Sequence, residues 1–132
     1  MQIQNNKNNQ TFKGGVAIVG ELSAVPCKHV RKVAPELKSL MKNKNFDLFI
    51  KEDFERNDIV FTVQKSNHYG KKNKPISEFS LAKKLNYYSD EAANEIYLAT
   101  AKSAVEYYEK MVPKQESLLG KCKNFISKIF DK

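Results

Sequence analysis

The chain has 132 residues, 41% apolar and 29% charged, with 23 Lys and Arg against 15 Asp and Glu, a net charge of +8. That length suits one domain with one hydrophobic core, and that composition excludes wholesale disorder. Of the 23 basic residues only Arg31 and Arg56 are arginine, and 12 asparagines accompany the lysines, so codon bias explains the charge better than selection for phosphate-gripping arginine forks.

Residues 1–11 are polar, MQIQNNKNNQT, and are expected to form a disordered arm ahead of a single α+β domain over 12–132. Gly14 to Leu22 holds a short apolar run, Val16-Ala17-Ile18-Val19, between glycines, which reads as a buried strand. The nearly uncharged stretch Gly14 to Cys27 contains Glu21 and is too short to span a membrane. It also makes a poor signal peptide. Pro26 before Cys27 argues against lipoprotein processing, and a cytoplasmic location is expected. The opening Asn9-Gln10-Thr11-Phe12-Lys13-Gly14 is similar to openings of small bacterial proteins rich in lysine and asparagine. That resemblance implies no function.

Val30, Val33, Leu37, Leu40 and Met41 recur at helical spacing. Pro35 interrupts them, and the pattern predicts a turn over 28–33 and then a short helix over 35–43, closed by Asn43 or Asn45. Phe46, Leu48 and Ile50 then alternate with Asp47, Phe49 and Lys51, and Ile59, Phe61 and Val63 with Val60, Thr62 and Gln64. Two period-two segments around the polar turn 53–57 predict a β-hairpin, and with it a β-α-β-β beginning. Residues 66–75 read as a loop and 76–81 as a fourth strand. Ser89, with Asp90 and Glu91 behind it, caps a helix that Pro113 should stop. Residues 115–131 read as a further amphipathic helix. The expected fold is therefore α+β: a small antiparallel or mixed sheet of three to four strands, covered by a short helix and two C-terminal amphipathic helices.

Chemistry is sparse. Gly15 and Gly20 have the spacing of a phosphate loop, but Glu21 and Leu22 stand where lysine and a hydroxyl residue belong, and Glu21 would repel the phosphates. Cys27, His29, His68 and Cys122 are the sulfur and imidazole ligands, without the paired spacing of a zinc site. No metal or cofactor is expected, and no catalytic set assembles. Cys27 with His29 or His68 lacks a visible orienting group.

Two basic surfaces remain. In the first, Lys65, Lys71, Lys72, Lys74, Lys83 and Lys84 are interleaved with aromatic residues, His68 and Tyr69 among them. Lysines neutralise phosphates while rings stack on unpaired bases, so this segment suits a polyanion such as single-stranded nucleic acid, or an acidic protein. The plainer alternative is a solvated loop. In the second, Leu118, Leu119, Phe125, Ile126, Ile129 and Phe130 share a helix face flanked by lysines, fit for a partner's groove or a membrane surface, or simply for packing on the sheet. The leading expectation is a non-enzymatic binding protein with an anionic partner. The alternatives are a small basic ribonuclease-like toxin using His68 and a peripheral membrane protein attached through 115–131.

Overall fold

Leu48, Ile50, Ile59, Phe61 and Val63 are completely buried, and they occupy alternate positions of two adjacent strands, so one face of that hairpin is core. The computed structural model describes residues 14–83 and 89–131, with side chains described as far as Met111. Its elements are β1 (Val16–Val19), α1 (Ala24–Met41), β2 (Asp47–Asp53), β3 (Asp58–Gln64), a 3-10 turn (Ser66–His68), β4 (Ser77–Ala82) and α2 (Asp90–Asp131). The strands form one mixed sheet in the order β1-β2-β3-β4, with β1 parallel to β2 and the other pairs antiparallel. Ile50 lies opposite Phe61, and Phe61 opposite Phe79. The architecture is α+β. The polar arm 1–11 lies outside the described residues.

Both helices pack on the face that carries Leu48, Ile50 and Phe61. From α1 come Val30, Val33, Leu37 and Met41; from α2 come Ala93, Tyr97, Ala101, Ala104, Val105 and Tyr108. Rings interlock across the layers, with Phe46 on Tyr108 at 4.6 Å and Phe61 edge-on to Tyr97 at 6.1 Å. The Ser77 hydroxyl donates to the Ala104 carbonyl at 2.8 Å, tying β4 to α2 in the interior. Ala101 and Val105 are buried while Tyr107 is exposed.

Two helical expectations are corrected. No turn separates 28–33 from 35–43, because α1 runs unbroken from Ala24. Pro26 stands in its first turn, where a missing N–H costs nothing. Pro35 is exposed, so the helix gives up one bond to the Arg31 carbonyl on its outer side instead of breaking in the core. Asn43 takes the left-handed conformation just past the helix end, with φ 66°. Likewise Pro113 does not stop α2, which continues to Asp131. Two α-helices, not three, are present among the described residues. At its start the cap is as expected, with the Ser89 hydroxyl accepting from the Ala92 N–H at 3.1 Å.

No helix among the described residues is long and apolar enough to cross a membrane.

Candidate functional site

The face of the sheet turned away from the helices carries the alternate residues: Phe49 and Lys51 on β2, Val60, Thr62 and Gln64 on β3, Glu78 and Ser80 on β4. Polar residues are affordable on this face, yet Thr62 and Gln64 are buried. The connection from β3 to β4, residues 65–76, accounts for Gln64. Its side chain accepts from the Gly70 N–H at 3.2 Å and donates to the Lys71 carbonyl at 3.0 Å, pinning the connection from beneath. The Ser66 hydroxyl is bound to the Asp47 carboxylate, which also accepts from the Gly15 N–H at 2.8 Å. Burial pushes the Asp47 carboxyl above its ordinary range, against the Gly15 bond.

Held in this way, Tyr69 lays its ring on Phe49 with centroids 4.2 Å apart. Burial, and secondarily the charge of Glu78, pushes its hydroxyl pKa upward. A depression of about 630 Å³ opens beside the pair, lined by Lys51, Arg56, Tyr69, Lys72 and Glu78 among others. Lys71, Lys72 and Lys74 are exposed along the connection, whereas Lys65 and His68 are half-buried.

Of the residues singled out in sequence, Lys65, His68, Tyr69, Lys71, Lys72 and Lys74 all lie on the connection from β3 to β4, and Tyr69 and Lys72 line the depression. Lys83 does not join them. It follows β4 beside the β2–β3 turn, where its backbone N–H donates to the Asn57 carbonyl and its ammonium pairs with the buried Glu52. Lys84 lies outside the described residues, as do the side chains of Leu118, Leu119, Phe125, Ile126, Ile129 and Phe130. Phe49, Lys51 and Arg56 were not singled out. The signal for Phe49 and Lys51 was available, since their alternation with Leu48 and Ile50 already placed them on the second face.

A larger depression, about 830 Å³, lies between the first turns of α1 and α2. Here Lys28 bridges to Asp90 at 3.2 Å, and His29 Nδ1 meets Asn94 Oδ1 at 2.7 Å. Lys28, Arg31 and Lys32 face Asp90 and Glu91, so its charges largely offset one another. His29 is buried against Tyr97 at 5.1 Å, with Nδ1 committed to Asn94. It belongs to the seam between the helices. Among the described residues no group of His, Cys, Asp and Glu is placed to hold a metal ion.

No protein-family model, curated protein or solved structure matches this chain.

Proposed function

We propose that the chain is a non-enzymatic binding module for a flexible anionic polymer, best matched by single-stranded nucleic acid, and that the helix-free face of the sheet with the 65–76 connection is its contact surface. The observation that supports this reading is the Tyr69–Phe49 ring pair at 4.2 Å, beside the exposed Lys71, Lys72 and Lys74. Aromatic faces at a sheet surface stack on unpaired bases of any sequence, and lysines alongside neutralise the backbone. Asp53 and Glu78 line the same depression. The phosphates should therefore track along the 71–74 rim, away from the two carboxylates, with the bases over the rings.

The test is fluorescence anisotropy of labelled single-stranded RNA and DNA, titrated at several salt concentrations. The wild type is compared with the triple variant Lys71→Gln, Lys72→Gln, Lys74→Gln. Each phosphate contact on a single strand contributes about −0.7 to the slope of log K against log salt, so the variant should flatten that slope by up to about 2. Equal affinity and slope in the two proteins would refute the proposal.

A further inference from the structure

β1 is an edge of the sheet, and among the described residues no strand pairs with its outer side. Edge strands are normally guarded by charge, proline or a bulge, because their free N–H and C=O groups invite another strand. The other edge, β4, has such guards. Glu78 is exposed on it, Lys74 and Pro75 precede it, and Lys83 follows. β1 is Val-Ala-Ile-Val, and across 14–23 the one ionisable residue is Glu21. Among the described residues, shortness is its remaining protection.

The register specifies what can be added. Leu48 donates its N–H to the Gly15 carbonyl at 2.9 Å, so Gly15, Ala17 and Val19 aim their backbone groups at β2, and Val16 and Ile18 aim theirs outward. Ile18 is paired with Ile50 in the sheet and so lies on the helix-covered face, yet it is 46% exposed. Among the described residues, the helices leave the outer border of that face partly uncovered.

We propose that two copies of the chain associate through β1, antiparallel about a two-fold axis at Ile18, into one eight-stranded sheet. An axis normal to the sheet at that residue makes Ile18 and its mate a hydrogen-bonded pair, exchanging both outward N–H and C=O groups. The same operation sets the two half-exposed isoleucine side chains against each other on the helix side, with Cβ atoms about 5 Å apart. Ala17 falls opposite Val19 of the second copy. Glu21 falls opposite Gly15, so no like charges meet. Chains of net charge +8 repel wherever their lysines face each other, and this border, without lysine or arginine across 14–23, is one where two can approach. A second copy fits better than an unrelated peptide, because the pairing is self-complementary in backbone bonds and side chains and brings no like charges together.

A four-residue strand makes few bonds, so association is weak and depends on concentration. Added salt screens the repulsion between two cationic chains and strengthens pairing, whereas it weakens polyanion binding. The two proposals therefore fail separately. Sedimentation velocity of the full chain over a broad concentration range should show a monomer–dimer equilibrium that shifts towards dimer as salt rises. Exchange of the Ile18 amide, followed by NMR, should slow as dimer forms. Ile18→Lys places two ammoniums at the axis. Ile18→Pro removes the outward N–H while sparing the bonds to β2. Both should remain monomeric, with circular dichroism confirming that they fold. A wild type that stays monomeric at high salt would overturn the proposal, as would a dimer in which Ile18 exchange does not change. Should neither variant fold, the concentration dependence of Ile18 exchange in the wild type decides alone.

Discussion

The carboxylate of Glu52 accepts two hydrogen bonds from Ser23, one from its backbone N–H at 2.7 Å and one from its hydroxyl at 2.8 Å, across 29 positions of sequence. Ser23 is the residue before α1 and makes no side-chain bond within its own helix. Glu52, near the end of β2, thus places a negative charge at the positive end of α1 and takes the role of a cap from a distance. Lys83 closes the arrangement by pairing with the same carboxylate. Three elements meet at one buried acid.

That acid makes stability depend on pH. Burial opposes ionisation of Glu52, but Lys83 and the Ser23 bonds outweigh it and hold the pKa below the ordinary 4.5. A folded-state pKa that is depressed gives stability that is present above about 4.5 and lost as pH falls through the folded value. Glu52→Gln should cost about 2–3 kcal/mol at neutral pH, since it removes charged hydrogen bonds and leaves Lys83 half-buried and unpaired. Urea denaturation from neutral to acid pH checks this. The curves of wild type and variant should converge in acid, and parallel curves would remove Glu52 as the source.

Tyr97 should be titrated at the alkaline end. Burial, reinforced by the Glu52 charge, pushes its hydroxyl from 10.0 up to about 12. A raised folded-state pKa gives stability that is present below about 10 and lost as pH rises towards 12. Ultraviolet titration of phenolate should show a late component that is absent from Tyr97→Phe. In Glu52→Gln that component should move to lower pH, because one of its two causes is gone.

Gly14 and Gly20 offer a matched pair of backbone tests. Both have positive φ, 72° and 75°. A Cβ on Gly14 would stand 1.8 Å from the Met41 carbonyl oxygen, where β1 begins against the end of α1, while a Cβ on Gly20 meets nothing within 4 Å. Gly20→Ala should therefore cost about 1 kcal/mol, the conformational term alone. Gly14→Ala should cost about 3 kcal/mol or more, because the helix end must also shift. Thermal melts of the two variants give the comparison, and equal losses would contradict the packing at Gly14.

The hairpin was readable because its chemistry is local. Phe46 to Gln64 alternates with period two around a polar turn, and the register of Ile50 with Phe61 follows from which face is apolar. α1 was misread because Pro35 counts as a breaker until its exposure is known. The Glu52–Ser23–Lys83 contact and the His29–Asn94 pair had no sequence signal, since each joins residues brought together by packing alone. The lysines of 71–74 were visible as a charged segment. That Tyr69 would fold back on Phe49, and that Lys83 would turn away to Glu52, required the path of the connection.

That path is governed by Gln64, which gives the last prediction. The side chain is completely buried, and its amide holds both the Gly70 N–H and the Lys71 carbonyl. Gln64→Leu keeps the volume and every charge, but leaves those two backbone groups unpaired beneath the connection, a local cost of about 1–3 kcal/mol. The connection should then spend part of its time undocked, carrying Tyr69 off Phe49. Affinity for single-stranded nucleic acid falls by the fraction of time it is docked, about three- to tenfold. The salt slope should not change, because the same lysines still meet the same phosphates. Anisotropy titrations thus separate two contributions: lysine substitution acts on the slope, and Gln64 substitution acts on the affinity at fixed slope. If Gln64→Leu binds as tightly as the wild type while amide exchange shows Gly70 released, the ordered ring pair contributes nothing to binding, and the contact is charge alone.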